Sequence, residues 1–280
     1  MTASDAEVAL AAALAGAAVV RGRLGTPLVR HLKSGQDFAT DVDIAAESAI
    51  RDVIHASRPE DTVVGEEAGR SGGGSGRTWL VDPLCGTANF AAGTPGLAVN
   101  VALRAAGVMV VSAVADPVGN ELLWADTSSA YLRRGAVDTP LVPTAESRLV
   151  ELNLDPPFPS APGFRCLDLL SDADFCASFR PRVLSTSLAL AWVAAGHRAA
   201  YVTDGDVRDS VHFAAGVALC VAAGCTVTDL DGRPWPEGRD GLLAAADAVT
   251  HQTLLSRVAA LKAFASGGGR HVREGHAEPR

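Results

Sequence analysis

The run VDPLCGTANF, residues 81–90, ends an apolar stretch in an acid, Asp82, and follows it with a proline, a glycine, a threonine and an asparagine. A tight turn of this kind presents a carboxylate and backbone groups to a ligand. At its middle stands a thiol, Cys85, where a second carboxylate would suit the same chemistry. Three more polar clusters sit at the ends of apolar runs. KSGQDFATDVD carries Lys33, Asp37, Thr40, Asp41 and Asp43; GEE carries Glu66 and Glu67; RDSVHFAAG enters a helical pattern. Carboxylates that converge on one cleft suit a hard cation such as Mg²⁺, which takes oxygen ligands and shares the phosphate oxygens of a substrate. The same acids at helix N-termini would serve as caps and dipole partners, each worth about 0.3–1 kcal/mol. Residue chemistry alone leaves both readings open.

The elements that must position these groups are legible in the hydrophobic pattern. Residues 4–24 read as a buried, alanine-rich helix, and Asp43 to about Ala56 as a second, with Ile44, Ile50, Val53 and Ile54 at helical spacings. DTVVGEEAG reads as a short strand entering a polar turn, and residues 71–77 as a glycine–serine loop. TWLVDP and the segments from Leu97 to Gly135 read as successive strands, with turns at 105–107 and 116–121. Residues 139–163 are proline-rich and join two halves, with one strand, RLVELNL, inside them. The second half alternates: SLALAWVAAG helical, RAAYVTD extended, SVHFAAGVALCVAAG helical, CTVTDLDG extended. The expected division is 1–140, 141–265 and a patternless, disordered tail over 266–280. No internal repeat is evident.

Composition narrows the classes. A chain of 280 residues that is 48% hydrophobic can build a large core. A net charge of −8 argues against a main role on nucleic acid, which leaves a basic footprint. The N-terminal apolar run lacks a basic start and falls short of the roughly 20 residues a membrane span needs. Five cysteines, an odd number without a C-x-x-C pair, imply no disulfide framework, so a reducing cytoplasm is the expected location.

DFATDVD, GEE, WLVDPLCGTANF, STSLAL and FAAG…AAGCTVTDLDG, in this order and spacing, resemble the inositol monophosphatase superfamily over about residues 5–250. The third motif, usually Asp-Pro-Leu/Ile-Asp-Gly-Thr-x-Asn-Phe, is the most specific. The resemblance implies a layered α/β/α/β sandwich of the inositol monophosphatase and fructose bisphosphatase type, and Mg²⁺-dependent, lithium-sensitive hydrolysis of small phosphomonoesters. Glu66, Asp82 and the carbonyl of Leu84 then correspond to ligands of the first metal. Asp43 and Thr87 correspond to the pair that polarises the attacking water, and Gly86 and Thr87 offer N–H groups to phosphate. Lys33 and Thr40 fall in the lid region. A homodimer is implied as well.

Two positions depart from the pattern. Cys85 stands where the family has an aspartate, and His212 replaces the aspartate of the Trp-Asp helix motif, with Val211 in place of its tryptophan. Both aspartates belong to the second metal, so that site has changed as a unit. Either one Mg²⁺ remains and His212 serves as general acid, or Asp82, Cys85 and His212 hold zinc or iron, or catalysis is lost and the fold binds a ligand. Asp204, Asp206 and Asp209, with Arg208 among them, lie where the family contacts substrate; Asp206 and Arg208 are the substrate-binding candidates. The expected ligand is a small phosphorylated or anionic metabolite. Cys166, Cys176, Cys220 and Cys225 read as plain thiols, Cys220 in the core.

Overall fold

The computed structural model describes residues 3–33, 37–155 and 164–267. Ser4 caps helix α1 (Asp5–Gly22) in a reciprocal box with Glu7. Strands β1 (Arg30–Leu32) and β2 (Phe38–Thr40) pair antiparallel. Helix α2 (Asp41–Ser57) starts two residues before the expected Asp43, because Thr40 caps it and Asp43 closes the box from the third position. Then come β3 (Thr62–Gly65), β4 (Gly69–Ser71), β5 (Arg77–Cys85), a short helix α3 (Thr87–Ala92), β6 (Ala98–Ala105), β7 (Val108–Asp116), β8 (Glu121–Asp126), β9 (Ala130–Arg134) and β10 (Val137–Pro140). They build an eight-stranded sheet in the order β10-β9-β8-β7-β6-β5-β3-β4. The expected turn at 105–107 is made by Ala106 and Gly107, both at positive φ, as a tight hairpin requires.

The second half holds β11 (Leu149–Asn153), a 3₁₀ turn (Cys166–Ser171), α4 (Ala173–Ser178), β12 (Arg180–Val183), α5 (Leu188–Ala194), β13 (Ala200–Thr203), α6 (Val211–Ala222), β14 (Thr226–Thr228), β15 (Leu242–Ala245) and α7 (Ala248–Gly267). Its sheet runs β12-β11-β13-β15-β14. Strands β1, β2, β4, β10 and β15, the short helix α3, the 3₁₀ turn, α4 and α7 have no counterpart in the sequence reading. Ser266 and Gly267, placed in the tail by sequence, close α7; the rest of that tail lies outside the described residues.

The central strands β5, β6 and β7 of the large sheet are covered on both faces and so read as near-continuous apolar runs rather than alternating ones. Trp79, Val81, Val99 and Val101 pack under α1 and α2. Leu80, Ala98, Ala102 and Val114 pack against α5 and α6, which also cover the smaller sheet. Beyond that sheet, Leu254 and Val258 of α7 close a third core with the 3₁₀ turn. The layering is the expected α/β/α/β with an outer helical layer added. Among the described residues no helix is long and apolar enough to cross a membrane.

Candidate active site

The polar cluster forms where α2, β5, the β3–β4 turn and the start of α6 meet. Asp43 is fully buried in the first turn of α2. One carboxylate oxygen accepts the Thr40 N–H at 2.8 Å, and the other accepts the Thr87 hydroxyl at 2.9 Å. The same Thr87 hydroxyl lies 3.0 Å from the Leu84 carbonyl oxygen. Burial raises the Asp43 carboxyl, against the hydrogen bonds from Thr40 and Thr87.

Asp82, fully buried, stands where β5 breaks register with β6 between Asp82 and Cys85. The irregularity turns the chain so that successive groups face one cleft. Oδ1 of Asp82 accepts the Leu84 N–H at 3.1 Å; Oδ2 accepts Asn100 Nδ2 at 3.3 Å and lies 2.8 Å from His212 Nδ1. Gly86 follows at φ 95°, and a Cβ there would stand 2.6 Å from the Gly96 carbonyl oxygen. Only glycine permits this turn into α3.

Glu66 comes from the β3–β4 turn. Oε1 takes Lys33 Nζ at 2.7 Å, and Oε2 lies 3.8 Å from His212 Nδ1. Lys33 also reaches Glu67 at 2.8 Å. Glu47, one helical turn beyond Asp43, holds the β3–β4 turn by accepting the N–H groups of Glu67 at 2.7 Å and Ala68 at 3.0 Å. Burial and the neighbouring Asp82 charge push the Glu66 carboxyl up to about 8, although His212 and Lys33 oppose the shift. Burial works against the charged Lys33, but Glu66 and Glu67 raise it.

Cys85 Sγ accepts the Ser187 N–H at 3.1 Å, and Asn100 Nδ2 donates to Ser187 Oγ at 2.8 Å. Burial and Asp82 push the thiol up, while its bond to His212 pulls the other way. His212 enters on the first turn of α6, capped by Ser210. Burial opposes its charged form, yet the Asp82 carboxylate and Cys85 override this and push the ring up to about 12.

The structure therefore brings Asp43, Thr87, Leu84, Asp82, Cys85, His212, Glu66 and Lys33 into one cluster. Thr40 is buried as the cap of α2, and Gly86 sits at the start of α3. Asp206 and Arg208 bond each other. Arg208 lines a separate cavity of about 460 Å³ between α6 and strands β6–β8. Asp204 is buried and accepts Arg165 Nε and the Cys166 N–H, both at 2.9 Å. Glu47, Asn100 and Ser187 escaped the sequence reading. Glu47 was visible as an acid at i+4 from Asp43 on the buried face of α2, and Asn100 as a lone amide in the apolar run LAVNVAL.

Glu66, Asp82 and the Leu84 carbonyl offer only oxygen. Burial first and the Asp82 charge second raise the partly buried Glu66, and Lys33 and His212 neutralise part of that charge. A hard divalent cation fits the set.

Fold and site define a layered α/β protein built around a cluster of carboxylates at the meeting of its two halves. The model of the inositol monophosphatase family matches residues 2–263, and the chain belongs to that family, for which Mg²⁺ is the implied ion. It is 32% identical to the inositol-1-monophosphatase of Caulobacter vibrioides over 241 residues, covering 84% of this chain and 92% of that one. It is 35% identical to Nus factor SuhB of Pasteurella multocida over 216 residues, covering 72% and 75%. The crystal structure of the extragenic suppressor protein SuhB from Bartonella henselae superposes with a TM-score of 0.76 at 27% identity, covering 90% of this chain and 96% of that one.

Proposed function

We propose that the protein hydrolyses a small phosphorylated polyol, sugar or related metabolite, using water activated beside Glu66, Asp82 and the Leu84 carbonyl. The observation that carries this reading is the intact Thr87–Asp43 bond of 2.9 Å, set 3.0 Å from that carbonyl. When bound, Mg²⁺ would supply positive charge to the phosphate oxygens and acidify a water. Thr87, its hydroxyl already donating to Asp43, would take a proton from the attacking water as its own hydrogen passes to that carboxylate, whose raised basicity suits a base. The N–H groups of Gly86 and Thr87 orient the phosphate. Lys33, now on Glu66 and Glu67, is the group nearest at hand to follow the phosphate charge once an ion takes over those carboxylates. The leaving oxygen faces the Asp82–Cys85–His212 group, in place of a second all-oxygen ion site. A homodimer belongs to the same reading.

The test is phosphate release from a panel of inositol, sugar, nucleotide and amino-alcohol phosphates, with and without Mg²⁺. Mg²⁺-dependent turnover of at least one phosphorylated polyol or sugar is the expected result. Silence across the panel, by protein shown to bind Mg²⁺, would overturn the proposal.

A further inference from the structure

We propose that Asp82, Cys85 and His212 form a site for a thiophilic divalent ion of the zinc class, next to the hard-ion site. This deepens the proposed function and rests on it only in that Asp82 is shared. The carboxylate oxygen, the sulfur and an imidazole nitrogen all lie within 4.8 Å of one another. Asp82 Oδ2 and His212 Nδ1 already stand 2.8 Å apart, joined by one hydrogen bond that an ion between them would replace. Bonds of about 2.0–2.3 Å in tetrahedral array separate ligand atoms by roughly 3.3–3.7 Å, so closure asks for shifts of about 1 Å or less.

The surroundings suit ligated groups. The protein groups bonded to Asp82 and Cys85 from behind are donors: Leu84 N–H to Asp82 at 3.1 Å, Asn100 Nδ2 to Asp82 at 3.3 Å, and Ser187 N–H to the sulfur at 3.1 Å. Such bonds orient a ligating carboxylate and temper a ligating thiolate. The ligands come from two elements, Asp82 and Cys85 from either side of the register break at the end of β5 and His212 from the first turn of α6. The His212 side chain remains 40% exposed, which leaves a face for a fourth ligand, a water or a substrate oxygen. Three protein ligands and one open position are the pattern of a catalytic rather than a structural zinc site. Sulfur and nitrogen disfavour Mg²⁺, which demands oxygen in near-octahedral array. One imidazole with one thiolate also departs from the two-histidine, one-carboxylate set of non-haem iron. On binding, the Cys85 sulfur gives its proton to solvent and its electron pair to the ion.

The experiment equilibrates full-length protein with Zn²⁺, removes the excess, and counts zinc per chain; Co²⁺ then replaces zinc for absorption spectroscopy. Wild type and the exposed-thiol control Cys176→Ala should each retain one zinc and show sulfur-to-cobalt charge transfer in the near ultraviolet. Cys85→Ala and Cys85→Ser should lose the charge-transfer band and weaken zinc retention at least about tenfold, with circular dichroism showing both folded. The proposal is overturned by zinc no higher in wild type than in Cys85→Ala, by stoichiometric iron instead, or by a cobalt spectrum indifferent to Cys85. Mg²⁺-dependent phosphate release without the zinc site would sink this inference and leave the function standing; bound zinc with no hydrolysis would do the reverse.

Discussion

Asp43 does two things with one carboxylate: it closes the cap of α2 through Thr40, and it holds the Thr87 hydroxyl. Asp43→Asn keeps the shape and removes the base. Turnover should fall by about 10²–10⁴ while Mg²⁺ binding, read by calorimetry, changes little; unchanged turnover would remove Asp43 from the chemistry. Glu66 and His212 make a second prediction, for metal-free protein. Their protonated forms persist in the fold up to about 8 and about 12, against ordinary values of 4.5 and 6.5. The fold thus holds protons that the unfolded chain has released. Their contribution is complete below the unfolded values and is lost as pH rises through the folded ones. The urea midpoint of chelator-treated protein should drop between about pH 5.5 and about pH 8.5, and drop less in Glu66→Gln. Equal drops would contradict the assignment. At this scale the sequence already displayed Cys85 and His212 as a matched pair of departures. It could not show their supports: Asn100 reaches Asp82 and Ser187 only because β6 lies beside β5 and α5 begins there.

The β3–β4 turn shows how an element aims a ligand. A Cβ on Gly65 would stand 2.3 Å from a Glu47 carboxylate oxygen, the group that holds the Glu67 and Ala68 N–H groups. Gly65→Ala should therefore weaken Mg²⁺ binding by roughly 10–100-fold through Glu66, as loss of an outer support does. Unaltered affinity in a Mg²⁺ titration would show that Glu47 does not set the turn. Gly16 of α1 tests packing away from the site: an added Cβ would stand 2.7 Å from Ile50 Cδ1 and 2.9 Å from Val99 Cγ1. Gly16→Ala should cost about 1 kcal/mol net, overpacking outweighing the helix preference of alanine, measured by denaturant unfolding. Helices α1 and α2 and the long strands were legible because their apolar residues are dense and their caps are explicit. Helix α7 was not, because Leu254 and Val258 are among the few apolar side chains it buries and the polar pair Ser256 and Arg257 interrupts the run between them. The hairpin strand β4, Gly-Arg-Ser, has no apolar pattern to read; its pairing with β3 defines it.

At the scale of the whole molecule, α5 and α6 form one core with the inner faces of both sheets. The join over residues 139–163 read from the sequence therefore does not separate two independent cores. Heat or urea should unfold the chain in a single transition with coincident fluorescence and circular dichroism; two resolved transitions would show that the halves are separable. The proposed homodimer should run in light scattering at about twice the 28.7 kDa of one chain. On the proposed reading, lithium should inhibit phosphate release only weakly, since Asp82, Cys85 and His212 offer sulfur and nitrogen beside a single carboxylate.

Hydrolysis in water enriched in ¹⁸O tests the central claim most directly. Water aimed at phosphorus by Thr87 and Asp43 should place one solvent oxygen in each released phosphate and none in the alcohol, in a Mg²⁺-dependent reaction that Asp43→Asn slows. Label in the alcohol, or label in phosphate at an undiminished rate in Asp43→Asn, would contradict the claim.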